Sequence, residues 1–219
     1  MFKDNILDTL IFEDSKILFK HLHVARTLEA FQFLNINVAA QIENIYDELE
    51  KLYAEKWRSD DCLRLVFFTQ LPLTYKAEVL KIQKLHEVIR LNTVPFINEP
   101  GPESAFKWEN REHWNSLLKE KKNQADDILA VNARYEIIEA SRFNIFSYDE
   151  SSQMVYTPKL ESGCLNGVLR RFTLIEGTIN LPDRGNKKII EQTITLDELS
   201  FYQLYVGNSV RGVLKATLI

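Results

Sequence analysis

The sequence predicts an α+β protein of two domains, an α/β domain followed by a β-rich domain. Segments with apolar residues at helical spacing and short runs of β-forming residues both occur along the 219-residue chain. A proline-rich stretch interrupts this pattern near residue 100. The composition, 45% hydrophobic and 26% charged, is typical of a globular chain that is long enough to bury a core.

The first half contains two predicted helices flanked by predicted strands. The segment "ILDTLIFEDSKILF" is predicted to form two short strands around a turn at residues 13–15. A helix is predicted from His23, because apolar residues recur at positions 24, 28, 31 and 34. A second helix is predicted over "VAAQIENIYDELEKLYAEKW", which has one apolar stripe. The segments "CLRLVFFTQ" and "LTYKAEVLKI" are predicted to be paired strands.

The stretch 92–106, "NTVPFINEPGPESAF", is the predicted junction between the domains. It holds three of the six prolines and a glycine, and these residues interrupt regular structure. We therefore expect an N-terminal α/β domain at residues 1–102 and a C-terminal domain at residues 103–219.

The second half is predicted to be rich in short strands. A helix over "NREHWNSLLKEKK" precedes strands at "DDILAVN", "YEIIEAS", "NIFSYD" and "MVYTP". A further helix is predicted to begin near Asn166 and to end at Gly177, because glycine commonly terminates helices. The strand "KIIEQTIT", a short helix over "LDELSFY" and final strands complete this half.

The charge and cysteine content narrow the functional classes. A net charge of −4 and a pI of about 5.7 argue against a broad nucleic-acid-binding surface. Cys62 and Cys164 are isolated, which is typical of reduced thiols in a cytosolic protein. No signal peptide or membrane span is recognisable in the sequence. We therefore expect a cytoplasmic protein without nucleic-acid or membrane partners.

No single motif identifies a function, but one carboxylate lies in an unusual, apolar segment. The four histidines lack metal-ligand spacing, and the chain has no P-loop, G-x-S-x-G or G-x-G-x-x-G motif, so no metal site is expected. In "EIIEASRFNIF", residues 136–146, Glu139 lies in an apolar segment. Burying a carboxylate without a partner is costly, so Glu139 either lies in solvent or has a specific partner.

Five segments in order resemble the class IV aminotransferase family, the fold-type IV enzymes that use pyridoxal phosphate (PLP). They are "HVAR" (23–26), "FKWENR" (106–111), "EASRFNIF" (139–146), "YTPKLESGCLNGVLRR" (156–171) and "GNSVRGV" (207–213). The third and fourth segments are the most specific. The resemblance implies a D-amino-acid aminotransferase-like PLP fold, with a barrel-like C-terminal domain and the cofactor between the two domains.

The resemblance also implies roles for particular residues. Lys107 matches the lysine that holds PLP covalently and moves protons, although by itself it could be a surface lysine. Glu139 matches the carboxylate that keeps the pyridine nitrogen protonated. Asn144, in the same block, is expected among the cofactor-binding residues on the supporting strand.

The implied phosphate site draws on three parts of the chain. Arg26 matches the phosphate-binding arginine, and Ser209 matches a hydroxyl donor. Val168 and Leu169 match backbone donors at a helix N-terminus. Arg64 is a candidate for binding a substrate carboxylate, and an outward-facing strand charge is its alternative.

The sequence leaves three possible functions open. The compact chain favours 4-amino-4-deoxychorismate lyase, which forms 4-aminobenzoate and pyruvate for folate synthesis. Transamination of a branched-chain or D-amino acid is the alternative, because the catalytic residues are shared. A family member without activity that binds a partner is the third, although such a protein would need neither Lys107 nor Glu139. The family also implies a homodimer that binds a small amine or amino-acid substrate.

Overall fold

The structure is a computed structural model that describes residues 4–96 and 99–219. The chain forms two compact units: one is the chain up to Lys84 with Phe106–Asn110, and the other is Leu85–Ala105 with Arg111–Ile219. Residues 1–3 and 97–98, which the predicted domains and junction include, lie outside the described residues.

The segment 106–110 belongs to the first unit, whereas the sequence placed it in the second domain. Its backbone pairs with the first strand, since the Leu7 N–H donates to the Lys107 carbonyl over 2.8 Å and Ile6 forms a β-bridge with Trp108. The compact units therefore divide differently from the expected boundary at residue 102. The two domains, residues 1–102 and 103–219, stay a prediction.

The first unit consists of two helices and a three-stranded antiparallel sheet of order β1-β4-β5, besides a two-stranded hairpin. Its elements are β1 (Ile6–Leu10), β2 (Phe12–Glu13), β3 (Lys16–Ile17), α1 (Lys20–Phe33), α2 (Ala39–Tyr53), β4 (Asp61–Phe68) and β5 (Thr74–Lys81). Both helices and the paired strands β4 and β5 were predicted, and these predictions are confirmed. Helix α1 begins three residues before the predicted start at His23.

The two faces of the β1-β4-β5 sheet differ in character. Side chains alternate along a strand, so Ile6, Asp8 and Leu10 lie on one face. Ile6 and Leu10 pack into the apolar core of this unit with residues of α1, α2 and β4. The opposite face carries Thr9 and, directly across from it, Arg64. Asp8 is therefore the polar member of an apolar row.

The second unit contains a mixed sheet whose strands follow the order β11-β12-β10-β9-β13-β14-β6-β7-β8. Its elements are β6 (Val88–Pro95), α3 (Glu112–Leu117), β7 (Asp127–Val131), β8 (Ile137–Ala140), β9 (Asn144–Asp149), β10 (Met154–Pro158), α4 (Val168–Glu176), β11 (Thr178–Leu181), β12 (Gly185–Gln192), β13 (Gln203–Asn208) and β14 (Gly212–Leu218). Within the described residues, the large mixed sheet and the four α-helices confirm the α+β class.

Local predictions for the second unit were mostly confirmed, with three corrections. Strand β6 was not predicted, and the predicted junction begins inside it, so the first four residues of the junction are not a loop. Strand β11 was not predicted. The predicted short helix "LDELSFY" is a 3₁₀ helix at Asp197–Phe201. Helix α4 ends as predicted, because Gly177 adopts a φ of 66°, which favours glycine.

Two further features of the described residues bear on function. In residues 4–96 and 99–219, no helix is both long and apolar enough to cross a bilayer. The same part of the chain contains no cluster of three or more histidine, cysteine, aspartate or glutamate side chains that could hold a metal ion.

Candidate active site

Lys107 is held on the first unit by a hydroxyl. Its Nζ donates to Thr9 Oγ1 over 2.9 Å, and the side chain is half-buried. The flanking Phe106 and Trp108 pack against the apolar core of the unit. These aromatic residues fix the backbone on either side of the amine and remove part of its hydration.

Asp8 organises the polar centre of the same unit. It is completely buried and accepts hydrogen bonds from His23 Nδ1 at 2.9 Å, Tyr46 Oη at 2.5 Å and Arg26 Nη2. Burial alone would raise the pKa of Asp8, but His23 and Arg26 outweigh it, so the pKa lies well below its usual range. Asp8 is therefore a carboxylate whose charge is balanced within the chain.

Arg26, the predicted phosphate ligand, lies one turn after His23 on α1 and is buried. Its partner within the unit, Asp8, was not identified from the sequence. The signal was available, because Asp8 is the charged residue of the strand Ile6–Leu10 and the H-x-x-R spacing places His23 and Arg26 on one helix face. The structure thus brings Arg26, His23 and Asp8 together, and the phosphate role of Arg26 stays a prediction.

Arg64 lies on the sheet face that also carries Thr9. It pairs directly with Thr9 across β1 and β4, and it lines a cavity of about 210 Å³ with Val66, Lys76, Glu78 and Glu109. Since Thr9 accepts the hydrogen bond from Lys107, Arg64 shares a surface with the candidate lysine. Its role in binding substrate stays a prediction.

Glu139 is buried on β8 of the second unit, with 8% of its surface exposed. The solvent-exposed alternative for this residue is therefore wrong. Burial raises the pKa of Glu139 to about 8, although the Leu165 N–H and the charges of Arg111 and Arg170 act in the opposite direction. Asn144 Nδ2 donates to its carboxylate over 3.3 Å. A cation placed against this carboxylate would lower its pKa.

Asn144 also fixes the start of helix α4. Its Nδ2 donates to the Leu165 carbonyl over 2.8 Å, and a Cβ at Gly167 would lie 2.0 Å from its Oδ1. Gly167 is the N-cap of α4, and no side chain caps that end. The predicted donors Val168 and Leu169 begin the helix, where the dipole favours an anion. Their contact with phosphate stays a prediction.

Two arginines near Glu139 were quoted in the motifs without a role. Arg111 Nη2 donates to the Ser141 carbonyl. Arg170 is fully buried, and it donates to the Pro158 carbonyl over 2.9 Å and to Glu191. Arg111 thus fixes the residue that follows the Glu139 strand, and Arg170 joins β10 to β12. The motif positions alone did not reveal this, because the partners are far apart in sequence.

Ser209 lies in the turn between β13 and β14 and is half-buried. The turn is fixed by Asn208, whose Oδ1 accepts from the N–H groups of Val210 and Arg211 at 3.0 and 2.9 Å. Asn208 Nδ2 also donates to the Arg142 carbonyl, next to the Glu139 strand. The expected contact between Ser209 and phosphate stays a prediction.

The side chains in each unit fit the groups of PLP. A protonated ring nitrogen would place a further cation against the buried carboxylate of Glu139, whose pKa stays raised although Arg111 and Arg170 are near. Arg26 and the uncapped N-terminus of α4 provide donors for a phosphate. Lys107 provides the amine. The predicted residues therefore form two chemically suitable sets, one in each unit.

The comparisons with known proteins agree with this chemistry. The family model described as amino-transferase class IV matches residues 5–219. A curated relative from Schizosaccharomyces pombe, named "Putative aminodeoxychorismate lyase", is 28% identical over 149 residues. That match covers 65% of this chain and 61% of the relative, so it spans less than two thirds of the relative's length.

Solved structures share the fold. A "Putative amino-acid aminotransferase" from Mesorhizobium loti is 24% identical with a TM-score of 0.79, and the match covers 98% of this chain and 99% of that one. The 4-amino-4-deoxychorismate lyase from Pseudomonas aeruginosa is 15% identical with a TM-score of 0.76, covering 98% and 83%. The match to the family model extends over almost the whole chain, and the chain therefore belongs to the class IV aminotransferase family, whose members are PLP-dependent enzymes.

Proposed function

We propose that the chain binds PLP and acts as a 4-amino-4-deoxychorismate lyase, releasing 4-aminobenzoate and pyruvate. The observation that carries the PLP part is Glu139, a buried carboxylate with a pKa of about 8 inside the most specific motif of the family. The lyase part is supported by the name of the relative that is 28% identical. Amino transfer is the competing reaction, and the assay with aminodeoxychorismate described below distinguishes the two.

Lys107 and Glu139 have the central roles in this proposal. PLP, when bound, withdraws electrons from the bonds next to a substrate amine. Lys107 holds the cofactor covalently and afterwards uses Nζ to accept the proton next to the substrate amine. Glu139 carries the negative charge that keeps the ring nitrogen protonated. Thr9, which accepts the hydrogen bond from Lys107 Nζ at 2.9 Å, orients that amine.

The phosphate and substrate ligands complete the assignment. Arg26, Ser209 and the backbone N–H groups of Val168 and Leu169 bind phosphate in this proposal. Asn144 acts through its hydrogen bonds to Glu139 and Leu165.

The substrate is proposed to bind the cavity that Arg64 lines. There Arg64 provides a charge-assisted hydrogen bond to a substrate carboxylate. In the lyase reaction, loss of the proton next to the amine is followed by cleavage of the ring carbon–oxygen bond. The electrons of the C–H bond complete the aromatic ring, and the three-carbon enol leaves and is protonated to pyruvate.

Cofactor attachment is tested by reduction and peptide mapping. The full chain is incubated with PLP, reduced with borohydride and digested. We expect the phosphopyridoxyl label on the peptide that contains Lys107, no specific label in Lys107→Ala, and normal labelling in the matched surface variant Lys119→Ala. Labelling elsewhere, or none, would exclude the PLP assignment.

The reaction is tested by incubating the loaded enzyme with aminodeoxychorismate. We expect 4-aminobenzoate and pyruvate in equal amounts. Amino transfer to 2-oxoglutarate or pyruvate without 4-aminobenzoate would exclude the lyase and support the aminotransferase. The binding-protein alternative requires that neither reaction occurs. A cytoplasmic location is part of this proposal and is supported by the two free, buried cysteines. A homodimer is also part of it and is supported by the family resemblance. Light scattering of the purified chain tests the dimer.

A further inference from the structure

Glu109 lies on the same face of the first unit as Lys107. The segment 106–110 runs antiparallel to β1, and the Glu109 N–H donates to the Asn5 carbonyl over 2.8 Å. Side chains alternate along an extended segment, so Lys107 and Glu109 lie on the side opposite the apolar core that Trp108 contacts. The candidate lysine and this carboxylate therefore share one surface.

This surface also contains the cavity of about 210 Å³ that Arg64 lines. Glu109 forms another part of its wall, and Val66, Lys76 and Glu78 complete the lining. Four of these five residues are charged, so an apolar ligand would remove water from charged groups without replacing their hydrogen bonds. The cavity therefore suits a ligand that itself carries charge.

Two of the four charged residues compensate each other. Lys76 Nζ lies 3.6 Å from Glu78 Oε2, so these two residues form an ion pair. In the part of the chain that the structure describes, the Arg64 guanidinium has no ion-pair or hydrogen-bond partner, although Glu78 lies directly across from Arg64 on β5. The guanidinium of Arg64 is therefore available to bind an anion.

Glu109 is held by a neutral group. Its Oε2 accepts a hydrogen bond from the Asn5 side-chain amide over 2.8 Å, and it forms no ion pair within residues 4–96 and 99–219. Asp4 is a second acid nearby: burial raises the pKa of Asp4, and the negative charge of Glu109 acts in the same direction. Arg64 and Glu109 therefore present opposite charges to one cavity without pairing with each other.

We propose that this cavity binds a zwitterion, with its carboxylate at Arg64 and its ammonium group at Glu109. A ligand that spans both groups forms two charge-assisted contacts, whereas a simple acid forms one and leaves its negative charge facing Glu109. The proposal rests on the proposed function in taking the zwitterion to be the substrate, whose amine Glu109 holds on the surface that carries Lys107. Glu109 is then a specificity-determining residue that selects amines with a carboxylate.

Binding to the full, PLP-free chain tests the proposal in the absence of any reaction. The probes are three zwitterions of increasing length: glycine, β-alanine and 4-aminobutyrate. Each is paired with the acid that lacks its ammonium group: acetate, propionate or butyrate. NMR titrations that follow the side-chain resonances of Arg64 and Glu109 give a Kd for each probe. We expect at least one zwitterion to bind about tenfold more tightly than its matched acid.

Variants of the two cavity glutamates separate the role of Glu109 from that of total charge. Glu109→Gln should abolish the preference for the zwitterion over its matched acid. Glu78→Gln is the matched control: it releases Lys76, so it should tighten the binding of both ligands and keep the preference. Arg64→Gln should abolish the binding of both. If Glu109→Gln does not fold, the wild type reports directly, because the Glu109 carboxyl resonance should move with the zwitterion and stay in place with the acid.

The outcomes distinguish this proposal from the proposed function. Equal affinity for every zwitterion and its matched acid overturns the role of Glu109, and so does a preference that survives in Glu109→Gln or is lost in Glu78→Gln. An absence of binding by all probes overturns it as well. If PLP nevertheless labels Lys107, the proposed function stands while this proposal falls. A preference that depends on Glu109 in a chain that does not attach PLP would support the zwitterion site and exclude the cofactor assignment.

Discussion

Asp8 in the first unit and Glu139 in the second are both buried carboxylates on short strands, yet their pKa values move in opposite directions. Asp8 has no exposed surface and is bonded by His23, Tyr46 and Arg26, and its pKa falls. Glu139 is 8% exposed and has Asn144 at 3.3 Å, and burial raises its pKa to about 8. Burial alone therefore does not determine the charge of a buried acid; its hydrogen-bond donors and neighbouring charges do.

The opposite pKa shifts indicate that Asp8 is a structural carboxylate and that Glu139 is suited to binding a ligand. The charge of Asp8 is satisfied within the chain, so its removal would leave Arg26 without its buried partner. The chain gives Glu139 too little compensation to remain ionised at neutral pH, and a bound cation would supply it. Variants of the two residues should therefore have opposite effects on the stability of the PLP-free chain.

Removing the charge of Asp8 should have the largest effect. Asp8→Asn leaves the buried guanidinium of Arg26 uncompensated, so we expect the free energy of unfolding to fall by about 3–5 kcal/mol at pH 7. Because the folded pKa of Asp8 is lowered, its contribution is present above pH 4 and is lost at lower pH. Denaturant unfolding of both proteins at several pH values measures this.

Asp47→Asn is the matched control for Asp8→Asn. Asp47 forms an ion pair with Lys20 on the surface, and we expect little change in the free energy of unfolding. Equal destabilisation by the two variants would contradict the central role of Asp8 in its unit.

Neutralising Glu139 should have an effect of opposite sign. The folded pKa of about 8 lies above the value of 4.5 for an ordinary glutamate, so the native state holds a proton that the unfolded chain has lost. The free energy of unfolding of the wild type should thus contain a term that falls by up to about 1.4 kcal/mol per pH unit between pH 5 and 8. Glu139→Gln lacks this term and should be the more stable protein at pH 8, with PLP absent.

Glu136→Gln is the control for that variant, three residues away. The hydrogen bond from Arg134 lowers the pKa of Glu136 to about 2, so its ionised form stabilises the fold above pH 4.5. Glu136→Gln should therefore be less stable than the wild type at pH 8. If both variants shift stability in the same direction, the raised pKa of Glu139 is refuted.

The smallest expected effect is at the helix start beside Glu139. In Gly167→Ala the new Cβ would meet Asn144 Oδ1 at 2.0 Å, and the Asn144 side chain would have to move. We expect a loss of about 1–3 kcal/mol in unfolding free energy from this overpacking. The double variant with Asn144→Ala removes the clash and should lose less than the two single variants combined. Thermal unfolding of all four proteins completes this cycle, and strict additivity would show that the contact does not matter.

Part of the fold could be predicted because its signals are local. The pairing of β4 with β5 follows from two β-forming runs close in sequence, and α4 ends at Gly177 because that position requires a positive φ. Strand β6 was partly mistaken for a junction, since its last residue is Pro95 and its parallel neighbours are remote in sequence. Propensity does not report pairing over such separations.

The sequence by itself determined the family, and its motif order predicted Lys107, Glu139 and Arg26 as residues of the site. Only the tertiary structure decided how the carboxyl groups of Asp8 and Glu139 are charged. It buried Glu139 and joined Asp8 to His23 and Arg26. The physical reason is that a pKa depends on solvent exclusion and on charges within a few ångströms, which neighbours far apart in the chain provide.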